Sequence, residues 1–268
     1  MSPPAAALPP AAADLTDAQL LRYSRHILLG EFGPEAQQKF LSAHVLVVGA
    51  GGLGSPVALY LGAAGIGQLT LVDDDAVDLT NLQRQIAHSQ ARIGQPKVHS
   101  AAQAVAALNP ETQVTAIARR ADAALLRTLI AQADVVVDCC DNFATRQAIN
   151  AACVALQKPL VSGAALRFDG QLAVYDPRVS ASPCYACVFA PDAPVEETRC
   201  SVMGVLAPLV GIIGSMQAAE VLKLLAHGRS ALTGRLLMLN ALDMAWSDLR
   251  TPRNPACRVC SATQNAIN

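Results

Sequence analysis

The chain has 268 residues, of which 52% are hydrophobic, and its 20 Lys plus Arg stand against 21 Asp plus Glu for a net charge of −1. That length can bury a sizeable core in one large domain or one and a half, while the near-neutral balance excludes a basic footprint for nucleic acid or for an anionic membrane. Residues 1–13 hold six Ala and four Pro with no basic start and no apolar run, so they are expected as a disordered tail rather than an export signal. The expected location is therefore cytoplasmic, where thiols stay reduced.

Thr16-Asp17-Ala18-Gln19 forms a capping box with Leu15 and Leu20 at its staple positions, which predicts a helix over 17–28. A second helix opens at Pro34. Strands and helices then alternate: strand 44–49, helix 54–64, strand 68–73, helix 96–108, strand 112–118, helix 122–131, strand 134–139, helix 142–157, strand 159–165. Strands this rich in Val, Leu and Ile, alternating with helices, predict a doubly wound, mostly parallel Rossmann-like α/β sheet. After Arg167 the pattern changes. Phe168-Asp169-Gly170 reads as a turn into a strand over 171–176, so antiparallel strands are expected to continue the sheet. A Pro- and Cys-bearing loop (177–204), a long apolar helix (205–226) and strands near 235–241 and 244–249 complete the chain. Gln217, Glu220 and Lys223 interrupt the apolar stretch, which makes it a buried helix rather than a membrane span. Residues 14–268 are expected to form a single domain, with a nucleotide-binding half over about 14–165 and a second half over about 166–268.

Gly49, Gly51 and Gly54 fit G-x-G-x-x-G between an apolar strand and a helix, and Asp73 follows nineteen residues after the last of them. Glycines there allow a tight turn and close backbone approach to phosphate, the helix N-terminus supplies free N–H groups, and the acid can bond ribose hydroxyls. The next forty residues depart from a hydride-transfer enzyme. They contain Asp75, the run Thr80-Asn81-Leu82-Gln83-Arg84-Gln85 and the run Gly94-Gln95-Pro96-Lys97. Lys97 is a cation in the first turn of a helix, where the macrodipole disfavours one, and Arg84 is a planar donor that cannot lose its charge. Where a later strand runs out lie Cys139-Cys140-Asp141-Asn142. Asp141 in that place can hold Mg²⁺ or cap the following helix. Asp73, Arg84, Lys97 and Asp141 together compose one ATP site, and no partner for a nicotinamide is visible. A dinucleotide oxidoreductase thus rests on the glycine motif alone.

Cys184 and Cys187, with Cys257 and Cys260, give two C-x-x-C pairs separated by 69 residues. Four thiolates suit tetrahedral zinc with no open position, hence a structural metal that would staple the C-terminus to the body. Cys200 is left over beside Arg199, in a setting that can lower a thiol pKa. Cys139, Cys140 and Cys153 sit at apolar positions and read as core.

The segments Leu21-Arg-Tyr-Ser-Arg25-His-Ile-Leu28, Gly49-Ala-Gly-Gly-Leu-Gly54, Asn81-Leu-Gln-Arg84, Gly94-Gln-Pro-Lys97, Asp138-Cys-Cys-Asp141-Asn142, both C-x-x-C pairs and Gly204-Val-Leu-Ala-Pro-Leu-Val-Gly211 together closely resemble the ThiF/MoeB/HesA family of ubiquitin-activating-type adenylyltransferases, over about residues 15–260. The resemblance implies that the C-terminal Gly-Gly carboxylate of a small ubiquitin-fold sulfur carrier attacks the α-phosphorus of ATP, releasing pyrophosphate before thiocarboxylate formation. It also assigns residues. Gly52 and Asp73 would hold the nucleotide, Asn81 and Arg84 its phosphates, Lys97 the α-phosphate and Asp141 the Mg²⁺, with Gln83 and Asn142 also lining the nucleotide. Arg25 would reach into the neighbouring site of a homodimer, and Cys200 matches a cysteine that some members link covalently to the carrier. With eight residues after Cys260, a separate sulfur donor protein is implied. The segments 161–171 and 204–210 look nearest to the molybdopterin type, the alternative being the carrier of thiamine thiazole synthesis.

Overall fold

The computed structural model describes residues 14–191 and 204–261. The tail expected over 1–13, Cys200 and Arg199 lie outside the described residues. Helix α1 (Asp17–Arg22) opens on Thr16, whose side chain accepts from Gln19 N–H while the Gln19 side chain accepts from Thr16 N–H, the expected capping box. The helix expected over 17–28 breaks at Tyr23, and α2 (Ser24–Ile27) restarts after it. Tyr23 is buried there, its hydroxyl accepting from Asn109 at 2.9 Å and its ring filling the space beside Gly65. Tertiary anchoring of one aromatic overrides continuity of the helix.

Helix α3 (Gly33–Ser42) leads into a sheet of eight strands in the order β3-β2-β1-β4-β5-β6-β7-β8. Strands β1 (His44–Val48), β2 (Gln68–Val72), β3 (Gln113–Ile117), β4 (Val135–Asp138) and β5 (Leu160–Leu166) pair in parallel. Strands β6 (Asp169–Tyr175), β7 (Arg235–Asn240) and β8 (Ala245–Arg250) add antiparallel ladders, so the change of direction expected after Arg167 occurs. The turn itself is tighter than expected. Leu166 pairs with Asp169, leaving only Arg167 and Phe168 to connect them, and Asp169-Gly170 belong to β6.

Alternation along the parallel strands divides the core in two. Val45, Val47, Leu69, Leu71, Val135 and Val137 face a layer of α3, α4 (Gly54–Ala63), α5 (Lys97–Leu108) and a long helix, α9 (Ala207–His227). Leu46, Val48, Val136 and Leu160 face α6 (Ala123–Gln132) and α7 (Phe143–Ala155). Among the described residues α9 alone is long and apolar enough to cross a membrane. It lies instead across β5, β6 and α4, and its polar residues are spoken for. Gln217, fully buried, donates to the backbone oxygen of Asp138 at 2.8 Å, and Glu220 accepts from Lys223 and Ser230.

The strand order reverses between β1 and β4. In such sheets the crevice outside the carboxyl ends of the two central strands is the place where ligands bind. Here it is flanked by the glycine loop after β1 and by Cys139–Asn142 after β4.

Candidate functional site

Two glycines bring those loops together. Gly49 has φ +98°, and a Cβ on it would stand 2.7 Å from the Cys139 oxygen; a Cβ on Gly54 would stand 1.9 Å from the Gly49 oxygen. Only a chain without side chains there can turn so tightly against β4 and enter α4. Gly51 and Gly52 follow on the loop, the second packed on Val210 of α9.

Asp73 stands at the end of β2 as expected. Its carboxylate accepts from Ala50 N–H at 2.7 Å and from Asp75 N–H at 2.8 Å, so it holds the glycine loop as well as facing the crevice. Burial raises its pKa more than these amides lower it. An anion in that condition favours further donors.

The crossover after β2 folds back on itself. Val77 N–H donates to Gln95 O at 2.8 Å, Gly94 N–H to Val77 O at 2.9 Å, and Lys97 N–H to Asp75 O at 2.9 Å. This short pairing fixes Lys97 as the first residue of α5, with Pro96 immediately before the helix rather than inside it. Lys97 is 5% exposed, and its ammonium meets the Asp75 carboxylate at 2.6 Å. Asp75 itself is largely solvated, so the pair is a buried cation with a water-facing partner. Between the two arms, Asp78 accepts from Thr80 N–H at 2.8 Å and starts a 3-10 turn over Leu79–Asn81. Among the described residues the Arg84 side chain bonds only the Thr80 oxygen, at 3.2 Å, and its guanidinium has five N–H donors. Gln83 is exposed, and Asn81 and Arg84 are half-buried.

At the end of β4 Asp141 is not the helix cap: that place is taken by Asn142, whose side chain accepts from Thr145 N–H at 2.8 Å. Asp141 is exposed and has no hydrogen-bond partner among the described residues. Its loop is held from beneath. Asp138, 1% exposed, accepts from Ser162 at 2.8 Å and Cys140 N–H at 3.0 Å, and Arg146 donates to the oxygens of Cys140 and Gly163.

Contacts tie these segments together at one end of the sheet: the Gly49–Gly54 loop packs on Cys139, two residues before Asp141, Asp73 holds Ala50 of that loop, and Lys97 pairs with Asp75 on the crossover that also carries Asn81, Gln83 and Arg84. Arg25 is not among them. It is exposed on α2, two residues from Tyr23, which packs beside Gly65 just past the far end of α4. Ten residues of helix separate that end from the glycine loop, a rise of about 15 Å. Sequence reasoning missed Asp75 as the partner of Lys97, and it missed Gln85, His88, Ser100 and Arg146. Their signal was position: Gln85 and His88 lie one and four residues after Arg84, and Arg146 lies one helical turn after Asn142.

The four cysteines converge from opposite ends of the second half. Cys184 is the N-cap of the short helix α8 (Tyr185–Val188) and Cys187 lies within it, and the segment after β8 brings Cys257 and Cys260. Sulfur separations are 3.9 Å for Cys184–Cys187, 3.7 Å for Cys184–Cys257 and 3.5 Å for Cys187–Cys260. A zinc ion with four sulfurs at about 2.3 Å would space tetrahedral sulfurs by about 3.8 Å, whereas a disulfide would need about 2 Å. Asn150 donates to the Cys184 sulfur at 3.6 Å, as thiolates require. The donor set and spacing fit a closed zinc site.

Against known proteins, residues 23–259 match the ThiF family. The chain is 45% identical over 251 residues to the molybdopterin-synthase adenylyltransferase of Salmonella typhimurium, covering 92% of this chain and 99% of that one. It is 44% identical over 249 residues to the sulfur carrier protein ThiS adenylyltransferase of Escherichia coli, covering 93% and 98%. Its fold is similar to a crystal structure of E. coli MccB with MccA-N7isoASN, with a TM-score of 0.79 at 24% identity over 89% of this chain and 74% of that one.

Proposed function

The chain belongs to the ThiF family, and from that membership we propose that it adenylates the C-terminal glycine carboxylate of a small ubiquitin-fold sulfur carrier with ATP. The observation that carries this reading is the buried Lys97 at the N-terminus of α5, paired with Asp75 two residues after Asp73, which itself holds the glycine loop. A carboxylate and a triphosphate repel each other, and a site that joins them must supply positive charge at the α-phosphate. In the proposed reaction a carboxylate oxygen bonds to the α-phosphorus, the bond to the bridging oxygen breaks, and pyrophosphate leaves with its electron pair.

Asp73 accepts the ribose hydroxyls. Lys97 binds the α-phosphate in place of Asp75, Arg84 and Asn81 hold the outer phosphates, and the glycine-loop N–H groups line the rest. The exposed carboxylate of Asp141, released from capping duty by Asn142, is assigned to Mg²⁺, which when bound supplies charge to the leaving phosphates. Zinc in the cysteine cluster supplies only structure, since four thiolates leave no open position.

Arg25 is assigned to the partner's site in a homodimer, because it lies at the wrong end of α4 to serve its own. Sulfur is assigned to a separate donor protein. Among the described residues the thiols outside the cluster are Cys139 and Cys153, buried in the core, and Cys140, partly buried against it. A cytoplasmic location accords with ATP use and reduced thiols.

Purified protein mixed with ATP, labelled pyrophosphate and one diglycine-tailed carrier at a time should exchange label into ATP. We assign the carrier to molybdopterin synthesis, in keeping with segments 161–171 and 204–210. Exchange with that carrier alone supports the assignment, and exchange with the thiamine-thiazole carrier alone replaces it. No exchange with any carrier ends the proposal.

Asp73→Asn tests the nucleotide half. An amide offers one acceptor oxygen where the carboxylate offers two, and a hydrogen bond to a charged group contributes about 1.5–3 kcal/mol, so KM for ATP should rise about tenfold or more. Because burial raises the Asp73 pKa, acid protonates it early. ATP affinity of the wild type should fall as pH drops through that raised value, while Asp73→Asn stays flat. Parallel profiles would remove Asp73 from nucleotide binding.

A further inference from the structure

One buried imidazole joins three segments beside the crevice: the glycine loop, the crossover after β2 and the first turn of α5. His88 lies on the crossover four residues after Arg84 and is 8% exposed. Its Nε2 is 2.9 Å from the oxygen of Ala50 in the glycine loop, and its Nδ1 is 2.9 Å from Oγ of Ser100, one turn into the helix that Lys97 begins. A carbonyl oxygen only accepts, so Nε2 carries the proton and Nδ1 accepts from the Ser100 hydroxyl. Ser100 is fully buried, and its free lone pair faces Arg92 Nη1 at 3.3 Å. Arg92 also donates to the oxygens of Ala87 and Ser100. Every polar atom in the chain Arg92, Ser100, His88, Ala50 therefore has a direction that the next one fixes.

The consequence lies in the peptide between Ala50 and Gly51. A trans peptide is planar, with its C=O and N–H pointing opposite ways. Holding the Ala50 oxygen down on His88 turns the Gly51 N–H to the other face of the loop, and that N–H meets no acceptor among the described residues. On the other side of Ala50, its own N–H is held by Asp73. Resting on the adenylation reading above, we propose that His88 is a positioning residue for the nucleotide: as the neutral Nε2–H tautomer it sets the Ala50–Gly51 peptide so that Gly51 N–H is presented to ATP phosphate. Burial, which lowers the His88 pKa, keeps the ring neutral and Nδ1 able to accept.

The test compares His88→Gln, His88→Asn and His88→Ala in the full chain. Glutamine can place its amide N–H near the position of Nε2, whereas asparagine reaches only the position of Nδ1. Asn and Ala should raise KM and Kd for ATP about tenfold, the effect of one lost buried hydrogen bond on a charged ligand. The KM for the carrier and kcat should stay near wild type. Gln should recover ATP affinity to within about threefold of wild type. Thermal unfolding separates a lost fold from a lost contact, since a merely structural role would lower Tm without splitting KM for ATP from kcat. Imidazole ¹⁵N shifts of the wild type should report Nε2–H, and this arm needs no variant. A His88 in the Nδ1–H tautomer overturns the proposal, as does Gln binding ATP no better than Asn or all three variants binding it like wild type. Wild type that binds no ATP overturns instead the reading on which the proposal rests.

Discussion

Lys97→Ala should slow carrier-dependent pyrophosphate exchange on the order of 10²-fold or more, the cost of removing one donor from a preorganised electrostatic site. Lys97 is buried, while its partner Asp75 keeps 66% of its side chain in water, so deleting the ammonium leaves no charge stranded in the core. The fold should therefore survive, with kcat falling while Tm changes little. A cation at the positive end of α5 opposes the helix dipole, and Lys97→Met, which keeps the volume, should be as slow as alanine and no less stable. Arg84→Ala belongs to the same experiment. Its one hydrogen bond among the described residues, to the Thr80 oxygen, is local and half-exposed, so stability should be unchanged and the loss, again on the order of 10²-fold, should be entirely in rate. Near wild-type exchange by either variant removes that residue from the reaction.

How much of this was readable from residue order depends on range. The parallel half of the sheet was legible because β1, β2 and β4 are short Val- and Leu-rich runs and some helices carry a start signal, such as Asp122 accepting from Leu125 N–H at the head of α6. The glycine loop and Asp73 were legible for the same reason, since a turn against phosphate needs glycine at fixed offsets. What residue order concealed is longer in reach. The break at Tyr23 follows from Asn109 and Gly65, more than forty residues away, and the hairpin turn at 167–168 follows from a register that only the pairing of β5 with β6 sets.

The concealed parts of the site are polar groups buried for support. Arg146, His88 and Gln217 carry no motif, because each is held in part by backbone oxygens, which every sequence offers equally. Gln217 did announce itself as a polar residue in an apolar helix, although its target, the Asp138 oxygen, comes from a strand 79 positions earlier. Burying such an amide without a partner costs about 1–3 kcal/mol. A glutamine on the core face of α9 therefore implied an acceptor without naming it.

The cysteine cluster was legible in its ligands and not in its consequence. Beside Cys184, Ala186, Cys257 and Cys260, its apolar surroundings contain Val154 of α7 and the partly buried Val259, a patch too small to hold residues 251–261 on the body by hydrophobic contact. Arg253 adds hydrogen bonds to the oxygens of Ser180 at 2.9 Å and Cys260 at 2.7 Å. On the proposed zinc reading, the metal supplies the rest. Structural zinc contributes about 10–16 kcal/mol in isolated zinc-finger peptides, and even a third of that would shift Tm by on the order of 10 °C in a chain of this size. Cys257→Ser should accordingly abolish stoichiometric zinc, measured as metal per chain in the purified protein, and lower Tm by that order. ATP affinity measured well below the new Tm should be retained, because the cluster meets α7 at Asn150, two turns beyond the Asp141 loop. Zinc-free wild type with an unchanged Tm would leave the four thiols as core residues and return the C-terminal staple to Arg253.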